Sequence, residues 1–229
     1  MLTQLDIPNA LARNHPAIRK AGIARTGKLL IEKTTAIAGV ESLAEKRVLD
    51  IGCGTRFTMA LINKKIPVKS YTGIDVNKGV IDYLKANVEA HDERFDYAHW
   101  DVVNALYNEA GDAFNGQSAL PIDPARKFDM IWMFSVITHQ FPEGTFALLK
   151  ILKNYVSSNG QMFFTAYSRP DVDKFVDARE GKPLMEAYYQ PEYLAELIDE
   201  AGWQIDKAIP ADAEHKPMLY QDGFLCSIK

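Results

Sequence analysis

The residues that could do chemistry in this chain fall in four short stretches. The first is Asp50 with Gly52, Cys53 and Gly54 in "VLDIGCGT". The apolar run Val48, Leu49 and Ile51 breaks at these glycines, and apolar positions resume at Phe57, Ala60 and Leu61. A strand, a glycine turn and a helix make a seat for a nucleotide-type ligand, because backbone N–H groups at the helix start face the turn. The second is Asp75, 21 residues after Gly54 at the end of "YTGID". A carboxylate at that strand tip can accept hydrogen bonds from both hydroxyls of a ribose. In "HWDV", Trp100 offers a face for a purine and Asp101 an acceptor for its exocyclic amine. The last is His139 in "SVITHQF", with an ordinary pKa near neutrality and hence suited to moving a proton.

The glycine turn narrows the ligand. Dinucleotide sites of the G-x-G-x-x-G kind use the third glycine for close helix–strand packing and seat a pyrophosphate. Here that third position is Phe57, and Arg56 beside it is also bulky. Asp50, two residues before the first glycine, would repel a pyrophosphate and attract an ammonium. The turn therefore suits a nucleoside that lacks phosphates and carries a positive group, as S-adenosylmethionine does. Asp75 does not separate this reading from NAD binding. An NAD-dependent oxidoreductase stays open as an alternative, as does a non-catalytic S-adenosylmethionine-binding domain.

Strands at 47–52, 70–75, 96–102, 128–135, 161–167, 203–209 and 222–228 must position these residues, with helices at 57–65, 78–90, 142–157 and 191–202. Val80, Ile81, Leu84 and Val88 form one helical stripe, and Thr55 is placed to cap the first of these helices. Pro142 and Pro191 suit first turns, with Gly160 and Gly202 as helix stops. This alternation predicts an α/β fold: a doubly wound, mostly parallel sheet with helices on both faces. Three segments depart from it. Residues 1–46 read as a helical lead-in, with Arg13, Arg19, Lys20, Arg25 and Lys28 and no acid between Ile7 and Ile31. That basic stretch is a solvated face or an anion-binding lid. Residues 102–127 and 168–189 read as irregular insertions, and such excursions beyond strand ends carry ligand-specific parts. Residues 47–229 are thus one domain with insertions.

The chain has 229 residues, 47% of them hydrophobic and 24% charged, which suits one large globular domain. Its 26 Lys and Arg against 30 Asp and Glu leave a net charge of −4, a poor match for nucleic acid as the main partner. No apolar run reaches the ~18 residues of a membrane span and the first residues hold no apolar signal core. Two cysteines, Cys53 and Cys226, make neither a metal cluster nor a disulfide framework. The expected location is the cytoplasm. His15, His91 and His215 have no partner at useful spacing and read as surface residues.

Taken in order, "VLDIGCGT", "YTGIDV", "HWDV" and "KFDMIWMFSVITHQFPEG" resemble the successive motifs of the class I, Rossmann-like S-adenosylmethionine-dependent methyltransferases. "LKNYVSSNGQMFFTAY" is similar to that family's "L-x-P-G-G" turn and fifth strand, without its Pro. "DVVNALYNEAG" resembles a bacterial subgroup with a long segment after the third strand. The resemblance covers most of residues 45–229, with Arg56 where the family usually has Gly. It implies seven strands ordered 3-2-1-4-5-7-6, the last antiparallel. It implies that Asp50, Gly52, Cys53, Gly54, Asp75, Val76, Trp100, Asp101, Val102 and Phe134 hold S-adenosylmethionine, with no metal. His139, placed after the fourth strand where an acceptor would meet the methyl group, is the candidate catalytic residue, or else a residue of the turn. The acceptor would be the oxygen or nitrogen of a small molecule.

Overall fold

Side-chain alternation along β1 (Arg47–Ile51) divides the core between two faces of one sheet. Leu49 and Ile51 enter one apolar cluster and Val48 the other. The computed structural model describes residues 2–12, 14–104, 106–211 and 221–229. Helices α1 (Pro16–Ala21) and α2 (Ile23–Ala38) precede β1. Then follow α3 (Arg56–Asn63), β2 (Ser70–Asp75), α4 (Lys78–Asn87), β3 (Phe95–His99), β4 (Phe128–Met133) and α5 (Pro142–Lys153). The chain continues through β5 (Val156–Ser168), β6 (Phe175–Asp177), β7 (Ala187–Tyr189), α6 (Pro191–Glu200), β8 (Trp203–Ile209) and β9 (Asp222–Ile228). Leu30 of α2, Phe57 and Leu61 of α3, and Val80, Ile81 and Leu84 of α4 cover Val48, Tyr71 and Trp132. Leu148, Leu149 and Leu152 of α5, with Leu194 and Ile198 of α6, cover the opposite face.

The main sheet runs β3-β2-β1-β4-β5-β9-β8, parallel except for β9, which is antiparallel to both neighbours. This is the order and polarity anticipated for seven strands. Two further strands bring the total among the described residues to nine. They lie in segment 168–189, where β6 and β7 form a short antiparallel ribbon and β7 pairs with the end of β5. That segment is therefore structured, not irregular.

Other local readings need correction. Gly160 does not stop α5, which ends at Lys153 because Tyr155 O already accepts from Phe128 N and turns the chain onto β4. Gly160 lies inside β5, where a Cβ would stand 2.7 Å from Phe128 O. Thr55 holds the N-cap position of α3 but makes no side-chain capping bond. The lead-in is helical only from Pro16. Before that the chain lies across α3 and α4, where Asn63 Oδ1 accepts from Leu5 N at 2.7 Å and Asn63 Nδ2 donates to Leu5 O at 2.9 Å. Tyr83 also donates to Asp6 O. His15 and His91 are exposed, whereas Arg13 and His215 lie outside the described residues. No helix among the described residues is long and apolar enough to cross a membrane.

Candidate active site

Everything at the carboxyl ends of β1 and β2 is organised around Asp75. Its Oδ2 accepts from Gly54 N at 2.9 Å and its Oδ1 from Asn77 N at 2.8 Å. Capping of α4 falls to Asn77, whose Oδ1 accepts from Val80 N at 3.1 Å. Gly52, at φ +68°, passes so close beneath the turn after β4 that a Cβ would meet Val136 Cγ2 at 2.7 Å. Glycine is required there on both counts.

A cavity of about 240 Å³ opens at these strand ends. Of the residues singled out in the sequence, Gly52, Gly54, Asp75, Val76, Trp100, Val102, Phe134 and His139 line it. Phe134 is backed by the rings of Phe57 and Phe163, and Trp100 packs on Phe114 at 5.2 Å between centroids. Asp50, Cys53 and Asp101 are not on the wall. Strand parity turns Asp50 toward Tyr71, beneath the glycine turn. Cys53 is buried, its sulfur against Gly73. Asp101 is exposed and accepts from Asn108 Nδ2 at 2.8 Å, folding segment 101–112 on itself. Arg56 likewise turns away, its Nε donating to Thr26 Oγ1 at 3.2 Å on α2. Burial pushes that guanidinium down to about 10.

Asp50 is not the ligand-facing charge expected of it. It is 1% exposed and accepts from the Tyr71 hydroxyl at 2.5 Å. Burial, reinforced by the charge of Asp75 and opposed by the Tyr71 bond, pushes its carboxyl up to about 8. The folded chain therefore holds this proton to higher pH than an unfolded aspartate near ~3.9. Stability from this group is complete below that lower value and is lost as pH rises through about 8, by at most about 1.4 kcal/mol per pH unit. Asp50→Asn keeps an acceptor for Tyr71 and removes the titration. Urea unfolding between pH 5 and 8 should show the wild type losing stability relative to this variant. Parallel curves would refute the buried-proton account.

His139 sits in a 3-10 turn, Ile137–His139, just beyond β4. Its Nδ1 lies 2.8 Å from Leu184 O. A carbonyl can only accept, so Nδ1 carries the proton and Nε2 keeps a lone pair. Burial lowers the ring's pKa, which favours this neutral form, with the Leu184 bond acting the other way. The edge of Tyr107 meets the ring at 5.9 Å and 80°. Sequence reasoning missed Leu11, Asn14, Asn104, Tyr107, Phe114 and Gln140, all on the cavity wall. Tyr107 and Phe114, the two aromatic residues of an insertion rich in Asn, Gly and Pro, were the available signal.

The wall chemistry fits a nucleoside bearing N–H donors. The carboxylate of Asp75 and the apolar face of Trp100 both stand on this wall. Asn14 Oδ1, buried on the same wall, has no partner among the described residues. Among the described lining residues there is no Lys or Arg, so nothing there would neutralise a pyrophosphate.

Comparison with known proteins accords with this geometry. A family model described as a methyltransferase domain matches residues 23–208. An S-adenosylmethionine-dependent methyltransferase from Clostridium acetobutylicum superposes with a TM-score of 0.59 at 16% identity, over 92% of this chain and 94% of that one. The glycopeptide N-methyltransferase MtfA gives 0.60 at 9% identity, over 89% and 90%. A TehB-like S-adenosylmethionine-dependent methyltransferase from Corynebacterium glutamicum gives 0.54 at 15% identity, over 93% and 96%. At these identities the solved structures establish likeness of fold.

Proposed function

The chain belongs to the methyltransferase-domain family, and from that premise we propose that it transfers the methyl group of S-adenosylmethionine to an oxygen or nitrogen of a small, uncharged, largely apolar acceptor in the cytoplasm. The observation that carries this reading is a histidine whose Nε2 keeps a lone pair, on the wall of a cavity that Asp75 shares and whose described lining residues include no Lys or Arg. When bound, S-adenosylmethionine supplies a methyl group on a sulfonium, open to in-line displacement. Asp75 would hold the ribose diol, Trp100 and Val76 would flank the purine, and Asn14 Oδ1 would accept an N–H. Gly52, lacking a side chain, keeps the turn clear for the amino acid tail. His139 Nε2 takes the proton from the acceptor's O–H or N–H as the new bond forms, and the aromatic wall excludes water.

Val103, Tyr107 and Phe141 stand exposed at or beside the mouth, each at least 40% accessible, an apolar rim suited to an apolar acceptor. MtfA acts on a glycopeptide nitrogen, so nitrogen acceptors belong in the test. Thermal-shift measurements with S-adenosylhomocysteine, NAD and NADP should show stabilisation by the first alone. Labelled methyl transfer to a panel of phenols, neutral amines and carboxylates should then favour the neutral compounds. Stabilisation by NAD would return the oxidoreductase reading. Binding of S-adenosylhomocysteine without transfer to any member of the panel, or to extracted metabolites, would make this a non-catalytic binding domain.

A further inference from the structure

Segment 168–189 reaches His139 from across the sequence. The β6–β7 ribbon is closed by backbone bonds, including Ala178 N to Glu186 O at 3.0 Å. At its tip Leu184 is buried at 5% exposure and adopts φ +56°, a left-handed conformation that a branched side chain rarely takes without constraint. The constraint comes from Asp177. Its Oδ2 accepts from Leu184 N at 2.9 Å, while Leu184 O accepts from His139 Nδ1 at 2.8 Å. The ribbon does not need this carboxylate to close. Moreover, Asp177 Oδ1 is buried with no partner among the described residues, a cost that a plain hairpin would shed. From the other side the Tyr189 hydroxyl donates to Gln140 O and accepts from Thr145 Oγ1, both at 2.8 Å. The ribbon and the histidine turn are thus clasped at two points.

We propose that Asp177 is a positioning residue: by fixing Leu184 it holds His139 with the proton on Nδ1 and the lone pair on Nε2. This rests on the reading of His139 as the proton acceptor and gives the inserted ribbon a role in the same reaction. Asp177 touches neither donor nor acceptor and acts only through Leu184. Losing it frees the Leu184 carbonyl to swing away, so His139 takes up the other tautomer and gains solvent.

The test reads the tautomer directly. The full chain is labelled with ¹⁵N-histidine and followed by long-range ¹H–¹⁵N spectra, the His139 signals being those missing from His139→Gln. The wild type should show a protonated Nδ1 and a bare Nε2. Asp177→Asn retains an acceptor for Leu184 N and should match the wild type. Asp177→Ala should shift His139 toward the Nε2–H form and raise its pKa toward the ordinary value. If Asp177→Ala fails to fold, Asp177→Val, suited to a strand and without an acceptor, is read the same way. A wild-type Nε2–H form, or an unchanged tautomer and pKa in the folded acceptor-free variant, would overturn the proposal. No methyl donor or acceptor enters this measurement. Failure here therefore leaves methyl transfer standing, and failure of transfer leaves this result standing.

Discussion

Asp75→Ala should weaken S-adenosylhomocysteine binding about a hundredfold or more in calorimetry, while circular dichroism stays that of the wild type. Two hydroxyls of a ribose donating to an ionised carboxylate are worth roughly 1.5–3 kcal/mol each, and every ~1.4 kcal/mol is tenfold in affinity. The same carboxylate accepts from Gly54 N and Asn77 N, so its loss also loosens the glycine turn that must receive the cofactor. Asp75→Asn separates the two contributions. The amide oxygen can keep the Gly54 bond but lacks the charge, and the loss should fall between wild type and alanine. Unchanged affinity in Asp75→Ala would remove Asp75 from the site and with it the basis for placing a nucleoside in this cavity.

The elements that carry this site were legible because their signals are local. Glycines, prolines and apolar periods mark β1, α3, β2, α4 and α6 within a residue or two at most ends. Errors arose where a distant partner decides the outcome. Gly160 reads as a helix stop, yet its smallness serves the close approach of Phe128 O inside β5. Asp50 reads as a ligand-facing charge by its place before the glycines. Parity along β1 instead turns it toward Tyr71, and an acid two residues from the turn carries no mark of the face it will take.

Asp101 shows the same limit, since Asn108 claims its carboxylate through the fold of segment 101–112. The deepest omission was segment 168–189. Its strands have three residues each, too short for an alternating pattern to declare itself. The bond that matters most there joins His139 to a backbone carbonyl 45 positions away, and a carbonyl has no residue type to read. His139 itself was legible as a neutral-range group after the fourth strand. Its tautomer was not, because that is set by its partner's chemistry.

His139 therefore carries the sharpest functional expectation. With an acceptor that the wild type methylates, His139→Ala should lower kcat about 10²-fold or more and leave S-adenosylhomocysteine affinity unchanged. The wild-type kcat should rise with pH along a limb below the ordinary histidine value of about 6.5, because burial lowers this ring's pKa and only the neutral ring accepts a proton. That limb should vanish in the variant. Asp75 and Tyr107 share the cavity wall with the ring, so the limb is assigned by its loss in His139→Ala and not by its position alone. Glutamine keeps a hydrogen-bonding group of similar reach but takes up no proton in this range. A base is not replaced by it, so His139→Gln should be as slow as alanine. A glutamine variant near wild-type rate, with only the acceptor's KM raised in alanine, would make His139 an orienting group. Wild-type kinetics in His139→Ala at every pH would leave it as part of the turn and return the proton to solvent.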